Sequence, residues 1–299
     1  MAKKPPRLVR TGPADLPVLE ASGLTTRTVD GAIRVLVIGD RTAHLAATSL
    51  VSEHVPHEWE TLDLSTFEEW PHPRGDSQFE AIAADGGRIV AVMREDPPVV
   101  LIGDTDTMSA RAHISLTAPP GSPLHGDFDD SSSRGEGLVL LRAGRLLVAK
   151  EKDPQALVEF SPPGVAARGL SREDFLDPDE SWSAPEGAVD YVATAMWRLV
   201  GDAAAALADI SSLCVAPDRI LWLLSDKSEA VGRLAMTTAL LPGGPEIAEL
   251  DEVWRLPKKV TKPEGMVFLD ERRLLVALDT RSKKDNAIVV EPPDDRRLW

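Results

Sequence analysis

The sequence has few of the residue types on which many common active sites depend. Its 299 residues include one cysteine, Cys214, one asparagine, Asn286, and one tyrosine, Tyr191. A single cysteine excludes an intramolecular disulfide and a cysteine-rich metal site. The six histidines all precede residue 126, and none shows the H-x-x-x-H spacing of a zinc site or lies near the G-x-S-x-G turn of a serine hydrolase. A zinc site or a catalytic triad is therefore disfavoured, although a triad is defined by geometry rather than by sequence order.

Patterns typical of nucleotide-binding loops and membrane spans are also missing. No G-x-x-x-x-G-K-[ST] motif occurs, no G-x-G-x-x-G motif accompanies a strand pattern, and no apolar run reaches 18 residues. The first seven residues, MAKKPPR, lack the apolar stretch of a secretory signal, so we expect a cytoplasmic protein without a membrane partner. The 48 acidic residues outnumber the 33 Lys and Arg residues and give a net charge of −15. This charge repels phosphate backbones, so we expect no nucleic acid partner.

The sequence does contain a succession of short apolar runs. Segments rich in Val, Ile and Leu, such as 33–38 and 274–278, are bounded by Gly, Pro or Asp. This pattern is typical of β-strands joined by tight turns, and it predicts an all-β protein. Short helices are expected only at 43–53, at 171–175 and at the alanine-rich 202–207.

An internal repeat organises these strands. In four segments an acidic or serine position is followed by a small residue, an apolar residue and a strand that ends in a charged cluster. The apolar residue precedes the second acid by 13 positions in each of the four. A fifth copy, from Leu24 to Asp40, has three additional residues in its turn. The four pairs of equal spacing are Ile82 and Glu95, Leu138 and Glu151, Leu213 and Asp226, and Met266 and Asp279.

The repeat predicts the overall architecture. Five units in 299 residues match the roughly 40–50 residues of a propeller blade, so we predict a single five-bladed β-propeller domain over 1–299. Six blades are the alternative if the long 153–209 segment contains a degenerate one. That segment is rich in Asp, Glu, Pro and Gly, which predicts a loop insertion around 165–188. The last unit has three strand patterns, so a strand around residues 7–11 is expected to complete it.

The motifs resemble those of a known family. Glu136-Gly-Leu, Asp209-Ile-Ser-Ser-Leu and Pro263-Glu-Gly-Met, each followed by its charged cluster, are similar to the SdiA-regulated family of bacterial β-propellers. The order of the motif types, E-x-S-G-L, E-A-I, E-G-L, D-I-S-S-L and E-G-M, is also the order in that family. The resemblance extends over residues 20–290. It implies a five-bladed propeller with a calcium site in its central channel, and it implies no established activity.

More distant similarities point to hydrolysis. The E-G-L and G-R-L-L-V-A-K-E patterns that begin at Glu136 resemble those of the calcium-dependent β-propeller phytases and the phytase-esterase-like proteins. These resemblances imply calcium-dependent ester or phosphoester chemistry. The six-bladed calcium-dependent lactonases also begin a blade with a Glu-Gly metal ligand. Their neutral asparagine ligands have no counterpart here, because Asn286 lies outside the motifs.

The motif acids are expected to converge at one mouth of the channel. Carboxylates a few ångström apart cannot all stay ionised, so a proton, a cation or a basic side chain has to compensate them. Glu and Asp suit a hard cation such as Ca²⁺, which takes about six to eight oxygen ligands. Pairing with Lys and Arg, and a solvated mouth without a ligand, are the alternatives. The candidate metal ligands are Glu20, Glu80, Glu136, Asp209 and Glu264.

Two functions are consistent with such a mouth. The first is a metal-dependent hydrolase of a small-molecule ester or phosphoester, in which a cation polarises the substrate, a carboxylate acts as base and basic side chains stabilise negative charge. The second is a non-catalytic propeller that binds a protein or a small ligand. The candidate catalytic residues for the first are Glu136, Asp209, Lys150, Lys152 and Arg94.

Overall fold

The computed structural model describes residues 5–49, 59–64, 77–107, 109–126, 135–236, 239–244 and 246–299. Within these ranges the chain forms twenty β-strands and one six-residue α-helix, which confirms the all-β class. The strands associate in antiparallel groups of four. No helix among these residues is long and apolar enough to cross a membrane.

Each group of four is numbered here as a sheet in chain order. The N-terminal strand, β1, spans Val9–Ala14. Sheet 1 contains β2 (Ala21–Val29), β3 (Ala32–Gly39), β4 (Thr42–Ser49) and β5 (Glu60–Asp63). Sheet 2 contains β6 (Phe79–Ala84), β7 (Ile89–Arg94), β8 (Val99–Asp104) and β9 (Ser109–Thr117). Sheet 3 contains β10 (Gly137–Leu141), β11 (Arg145–Lys150), β12 (Ala156–Ser161) and β13 (Gly187–Arg198).

Two further sheets complete the described strands. The helix α1 (Gly201–Ala206) lies between sheets 3 and 4 in the chain. Sheet 4 contains β14 (Ser212–Val215), β15 (Leu221–Ser225), β16 (Ala230–Leu234) and β17 (Leu250–Arg255). Sheet 5 contains β18 (Pro263–Phe268), β19 (Leu274–Leu278) and β20 (Ala287–Glu291), with β1 as its fourth strand.

The N-terminal strand pairs with the last strand of the chain. β1 runs antiparallel to β20, with Val9 opposite Glu291 and Ala14 opposite Ala287. The predicted pairing is thereby confirmed, although the strand covers Val9–Ala14 rather than residues 7–11. Two distant parts of the sequence therefore share one sheet.

The first strand of each sheet lies on the inside. β2, β6, β10, β14 and β18 contact one another in that order, and β18 also contacts β2. Five clusters of buried apolar side chains among the described residues fill the spaces between successive sheets. The inner strands thus enclose a channel. We call the end at which they begin the motif mouth and the opposite end the far mouth.

Sheets 2 and 3 are joined into one sheet of eight strands. The first half of β13 pairs parallel with β9, from Gly187 opposite Ala112 to Val192 opposite Thr117. The second half of β13 pairs antiparallel with β12 inside sheet 3. The long outer strand of sheet 3 therefore belongs to both sheets.

One predicted helix is a strand. Residues 43–49 of the expected 43–53 helix lie in β4, which pairs with β3 and β5, and residues 50–53 lie outside the described ranges. The prediction was wrong because the alanines of this segment are small buried residues that pack between adjacent sheets. Leu45 and Ala47 pack between sheets 1 and 2, and Ala46 packs between sheets 5 and 1. The other expected helices appear as α1 and as a short 3-10 turn at Arg172–Asp174.

Two motif glycines allow neighbouring inner strands to approach closely. A Cβ atom at Gly23 would lie 3.1 Å from Ile82 Cγ2, and one at Gly137 would lie 2.6 Å from Leu213 Cγ. The apolar motif residue of each following sheet therefore packs over the glycine of the sheet before it. The glycines act through packing rather than chemistry.

The segment 162–186 connects β12 to β13 and extends to the far mouth. A buried ion pair anchors its beginning, since Arg145 Nη1 lies 3.0 Å from Glu159 Oε1 and both side chains are fully buried. Trp182 is also buried, and its Nε1 donates a hydrogen bond to the carbonyl oxygen of Leu141 at 3.0 Å. These contacts hold residues 175–178 against the end of the channel.

Candidate functional site

Each inner strand has a polar side chain at or near its start, at an equivalent position two residues before the apolar motif residue. Glu80, Glu136 and Glu264 occupy this position in sheets 2, 3 and 5, whereas Ser22 and Ser211 occupy it in sheets 1 and 4. The three glutamates interact electrostatically, because the charges of Glu80 and Glu264 both raise the pKa of Glu136. The structure therefore brings these three predicted residues together at the motif mouth.

Burial and like charge raise the pKa of all three glutamates. Burial is the largest cause in each case, and neighbouring carboxylates add to it. The pKa of Glu80 is raised to about 8, that of Glu264 is raised to about 9, and that of Glu136 is raised well above its usual value. None of the three carboxylates has a hydrogen bond or salt bridge to another described residue. Burial and the neighbouring charges therefore favour the protonated form of each of these carboxyl groups.

Other acids at the motif mouth are compensated by basic side chains. Glu20 Oε2 lies 2.6 Å from Arg41 Nε, and its Oε1 lies 3.3 Å from Arg281 Nε. Glu151 Oε2 lies 2.6 Å from Lys152 Nζ. The charges of Glu20 and Glu151 are thus balanced inside the protein, which removes two acids from the set that a ligand has to neutralise.

A further pair, and one strongly perturbed acid, were not among the candidates. Lys262 Nζ donates a hydrogen bond to Asp279, and this contact is the largest cause of the raised pKa of Lys262. Burial, followed by the charges of Glu20 and Asp279, raises the pKa of Asp40 to about 7. Lys262 lies four residues before the apolar residue of its repeat, which is the position that Glu20 occupies in the first repeat. Alignment of the repeats is the sequence signal that could have identified it.

Asp209 is a structural acceptor. Its side chain is 1% exposed and accepts a hydrogen bond from the hydroxyl of Ser225. The backbone N–H of Lys227 lies 3.2 and 3.3 Å from its two oxygens. These donors engage the carboxylate at the turn between β15 and β16.

Two of the three basic candidates also point into the protein. Lys150 is 1% exposed, and its Nζ donates hydrogen bonds to the carbonyl oxygens of Lys152 and Asp153, the latter at 3.0 Å. Arg94 is 4% exposed at the end of β7, and its charge acts on His113 of β9, whose pKa is lowered first by burial and then by Arg94. Neither cation is among the charges that act on Glu80, Glu136 or Glu264.

The two serines at the equivalent position join neighbouring sheets. The hydroxyl of Ser22 donates a hydrogen bond to the carbonyl oxygen of Phe79, and that of Ser211 donates one to the carbonyl oxygen of Pro263 at 2.7 Å. Each acceptor directly precedes a glutamate of the next sheet. The serines therefore fix the backbone from which Glu80 and Glu264 project.

The fit of these residues to a calcium ion is partial. Carboxylates are the oxygen donors that calcium prefers, and Glu80, Glu136 and Glu264 have no other partner to release. However, no three Asp, Glu, His or Cys side chains of the described residues are grouped closely enough to ligate one ion. The arrangement is a ring of buried carboxyl groups rather than a formed coordination sphere, so a calcium ion would require the three side chains to move closer together.

Comparison with known proteins identifies the fold. No family model matches the chain, and no curated protein matches its sequence. The chain is similar to the calcium-binding protein regucalcin from Agrobacterium tumefaciens, with a TM-score of 0.50, 11% identity, and coverage of 96% of this chain and 94% of that one. This likeness indicates a β-propeller fold.

Weaker structural similarities were also found. The aldose sugar dehydrogenase of Streptomyces coelicolor, in its PQQ-bound form, has a TM-score of 0.45 and 12% identity, with coverage of 95% and 97%. The virginiamycin B lyase of Staphylococcus aureus has a TM-score of 0.41 and 10% identity, with coverage of 89% of this chain and 66% of that one. At these identities the likeness concerns the fold and not the chemistry.

Proposed function

We propose that the chain is a five-bladed β-propeller that hydrolyses an ester or phosphoester at its motif mouth. The observation that carries the proposal is the ring of Glu80, Glu136 and Glu264, which are buried, close to one another and without a partner among the described residues. Carboxyl groups whose pKa values are moved toward neutrality are the groups that enzymes use as acids and bases at pH 7. The resemblance of the motifs that begin at Glu136 to those of the phytase-like propellers supports ester or phosphoester hydrolysis.

Glu136 and Glu80 would divide the acid and base roles. Glu136, whose pKa burial raises well above its usual value, would donate a proton to the leaving-group oxygen. Glu80, with a pKa of about 8, would in its ionised form accept a proton from the attacking water. The water oxygen then bonds to the carbonyl carbon or phosphorus, and the bond to the protonated leaving group breaks. Activity should therefore rise as the pH passes through about 8.

Hydrolysis of p-nitrophenyl butyrate and p-nitrophenyl phosphate tests this proposal. We expect Glu136→Gln and Glu80→Gln each to reduce kcat/KM by at least 100-fold, since one proton-transfer group contributes about 10²–10⁴. The matched control is Glu271→Gln at the far mouth, where Glu271 pairs with Arg297 at 2.9 Å, and it should retain the wild-type rate. If the wild-type chain hydrolyses neither substrate, the enzyme proposal fails and a non-catalytic binding propeller remains.

Calcium belongs to the proposal as a ligand that would replace the shared protons of this ring. A bound calcium ion would supply Lewis-acid polarisation of the substrate. Binding should raise the stability by RT ln(1 + [L]/Kd), about 2.7 kcal/mol at 100-fold excess over Kd. We therefore expect added calcium to raise the Tm of the wild type and not that of Glu136→Gln. If calcium, magnesium, manganese and EDTA all leave the Tm unchanged, metal binding is rejected. The hydrolytic proposal would then depend on the three carboxyl groups alone.

A further inference from the structure

A cavity of about 690 Å³ occupies the far half of the channel. It is lined by all five inner strands and by the turns that follow them, including Gly86, Pro217 and Asp270, and by residues 175–178 of the long connection between β12 and β13. Its volume lies within the roughly 300–1,000 Å³ of small-molecule sites. Leu24, Ile82 and equivalent apolar residues close its inner end, two residues beyond the glutamate and serine ring.

The charged side chains at the rim of this cavity are already compensated. Asp85 accepts hydrogen bonds from the backbone N–H groups of Gly87, Ile89 and Trp182, each at 2.9 Å. In the same way, Asp177 lies 2.7 Å from Arg142 Nη2. These pairings leave an apolar wall whose carboxylates require no counter-charge from a ligand.

Glu271 and Asp270 complete the compensated rim. Glu271 Oε2 lies 2.9 Å from Arg297 Nη1, and Asp270 Oδ2 lies 2.6 Å from Arg273 Nε. Asp270 also accepts the backbone N–H groups of Arg272 and Arg273 at 2.8 Å. A charged ligand would therefore find no unsatisfied partner of opposite sign among these acids.

One wall retains unsatisfied polar groups. Thr25, Thr26 and Thr28 of β2 line the cavity, and their hydroxyl groups have no hydrogen bond within the described part of the chain. Arg27 also lines the cavity, but its Nη1 donates a hydrogen bond to the hydroxyl of Thr105 and its Nη2 lies 3.9 Å from Asp106 Oδ1, so it is already engaged. The three threonine hydroxyls of this strand thus remain open to a hydrogen-bonding partner.

We propose that this cavity is a second binding site, for an uncharged and largely apolar small molecule that carries a hydrogen-bonding oxygen. The apolar body would contact the inner strands, and the oxygen would meet the threonine side chains of β2. An apolar site with a few convergent polar groups is the usual composition of such pockets. The site is separate from the motif mouth and independent of the hydrolytic proposal.

Nile red, a neutral dye with one carbonyl acceptor, is a suitable probe. We expect one dye to bind per chain, saturably and with blue-shifted emission. Ala84→Phe, which adds a phenyl ring inside the cavity, should weaken binding at least tenfold. The control Ala188→Phe adds the same group to an exposed position on β13 and should bind as the wild type. Thr26→Val should weaken binding about fivefold, the value of one neutral hydrogen bond.

The single cysteine gives an independent readout that needs no cavity variant. Cys214 lines the cavity, and burial raises the pKa of its thiol to about 12, so it should react slowly with N-ethylmaleimide. Saturating Nile red should slow that reaction further, as measured by intact mass, and Glu136→Gln should leave dye binding unchanged. Absence of saturable binding, equal binding by both phenylalanine variants, or an unchanged labelling rate would overturn the proposal.

Discussion

The inner strands are of two kinds, and the difference lies in where each carries its acid. In the glutamate strands, β6, β10 and β18, the acid lies two residues before the apolar motif residue and has no partner among the described residues. In the serine strands, β2 and β14, that position holds a serine, and the acid lies two residues earlier, as Glu20 and Asp209. Both of those acids are satisfied by the protein. A shift of two residues therefore separates an acid that the protein satisfies from a buried carboxyl group that has no partner among the described residues.

The largest effect should come from the buried acid of a serine strand. Asp209→Ala would leave the Ser225 hydroxyl and the Lys227 N–H without an acceptor in a site that is 1% exposed. We expect the free energy of unfolding to fall by about 3 kcal/mol, measured by urea denaturation. The matched change in a glutamate strand, Glu136→Gln, should leave the free energy of unfolding unchanged. If the two variants lose the same stability, the distinction between the two kinds of strand is wrong.

The glutamate strands should make stability depend on pH. The pKa values of Glu80 and Glu264 are raised to about 8 and 9 in the folded chain, so the folded state binds protons more tightly than the unfolded state. The resulting stability is fully present below pH 4.5 and is lost as the pH rises through 9. We therefore expect the free energy of unfolding to fall between pH 5 and 9, since each unit of pKa shift corresponds to about 1.4 kcal/mol.

Glu264→Gln is the variant that tests this slope. It removes one of the titrating groups, so its free energy of unfolding should vary less between pH 5 and 9 and should exceed that of the wild type at pH 9. Equal slopes for the two proteins would show that the glutamates do not titrate together.

The hydroxyl groups of the serine strands should contribute less to the free energy of unfolding than the buried acids do. Ser22→Ala and Ser211→Ala each remove one hydrogen bond to a carbonyl oxygen of the next sheet. A neutral hydrogen bond contributes about 1 kcal/mol, and we expect each variant to lose that much in thermal or urea unfolding. Ser→Thr at either site retains the hydroxyl and serves as the control. If the alanine variants lower the Tm and the threonine variants do not, the effect is due to the hydrogen bond.

The smallest effect should come from the exposed ion pair of a serine strand. Arg281 is 87% exposed where it pairs with Glu20, and exposed pairs contribute little. Arg281→Ala should change the free energy of unfolding by less than about 0.5 kcal/mol and should leave the pH slope unchanged. A larger effect would mean that Glu20 depends on Arg281 as much as on Arg41.

The repeat predicted the hairpins because spacing within a hairpin is local. The constant interval of 13 residues between Leu138 and Glu151 corresponds to β10 and β11, in which Leu138 lies opposite Val148. The convergence of the glutamates also followed, since equivalent positions of inner strands meet at one end of the channel. The likeness to regucalcin supports the same fold.

The partners of individual side chains could not be predicted in this way. Asp209 and Lys150 carry the right charges at the right positions, but turns that fold back from elsewhere supply their hydrogen-bond partners. The cavity at the far mouth likewise depends on residues 175–178, and the segment that contains them is anchored by the buried pair of Arg145 and Glu159, which precede them by 16 to 33 residues. No local pattern encodes such contacts.

The shared strand between sheets 2 and 3 has a consequence for the exposed edges of the molecule. An outer strand normally presents a row of unpaired backbone groups that another chain can add to, and proteins guard such edges against aggregation. Because β13 pairs with β9 from Gly187 to Val192, two of these edges cover each other. The amides of that stretch should exchange slowly with deuterium, whereas those of the short strand β5 should exchange first. Self-association, where it occurs, would begin at β5 rather than at this seam.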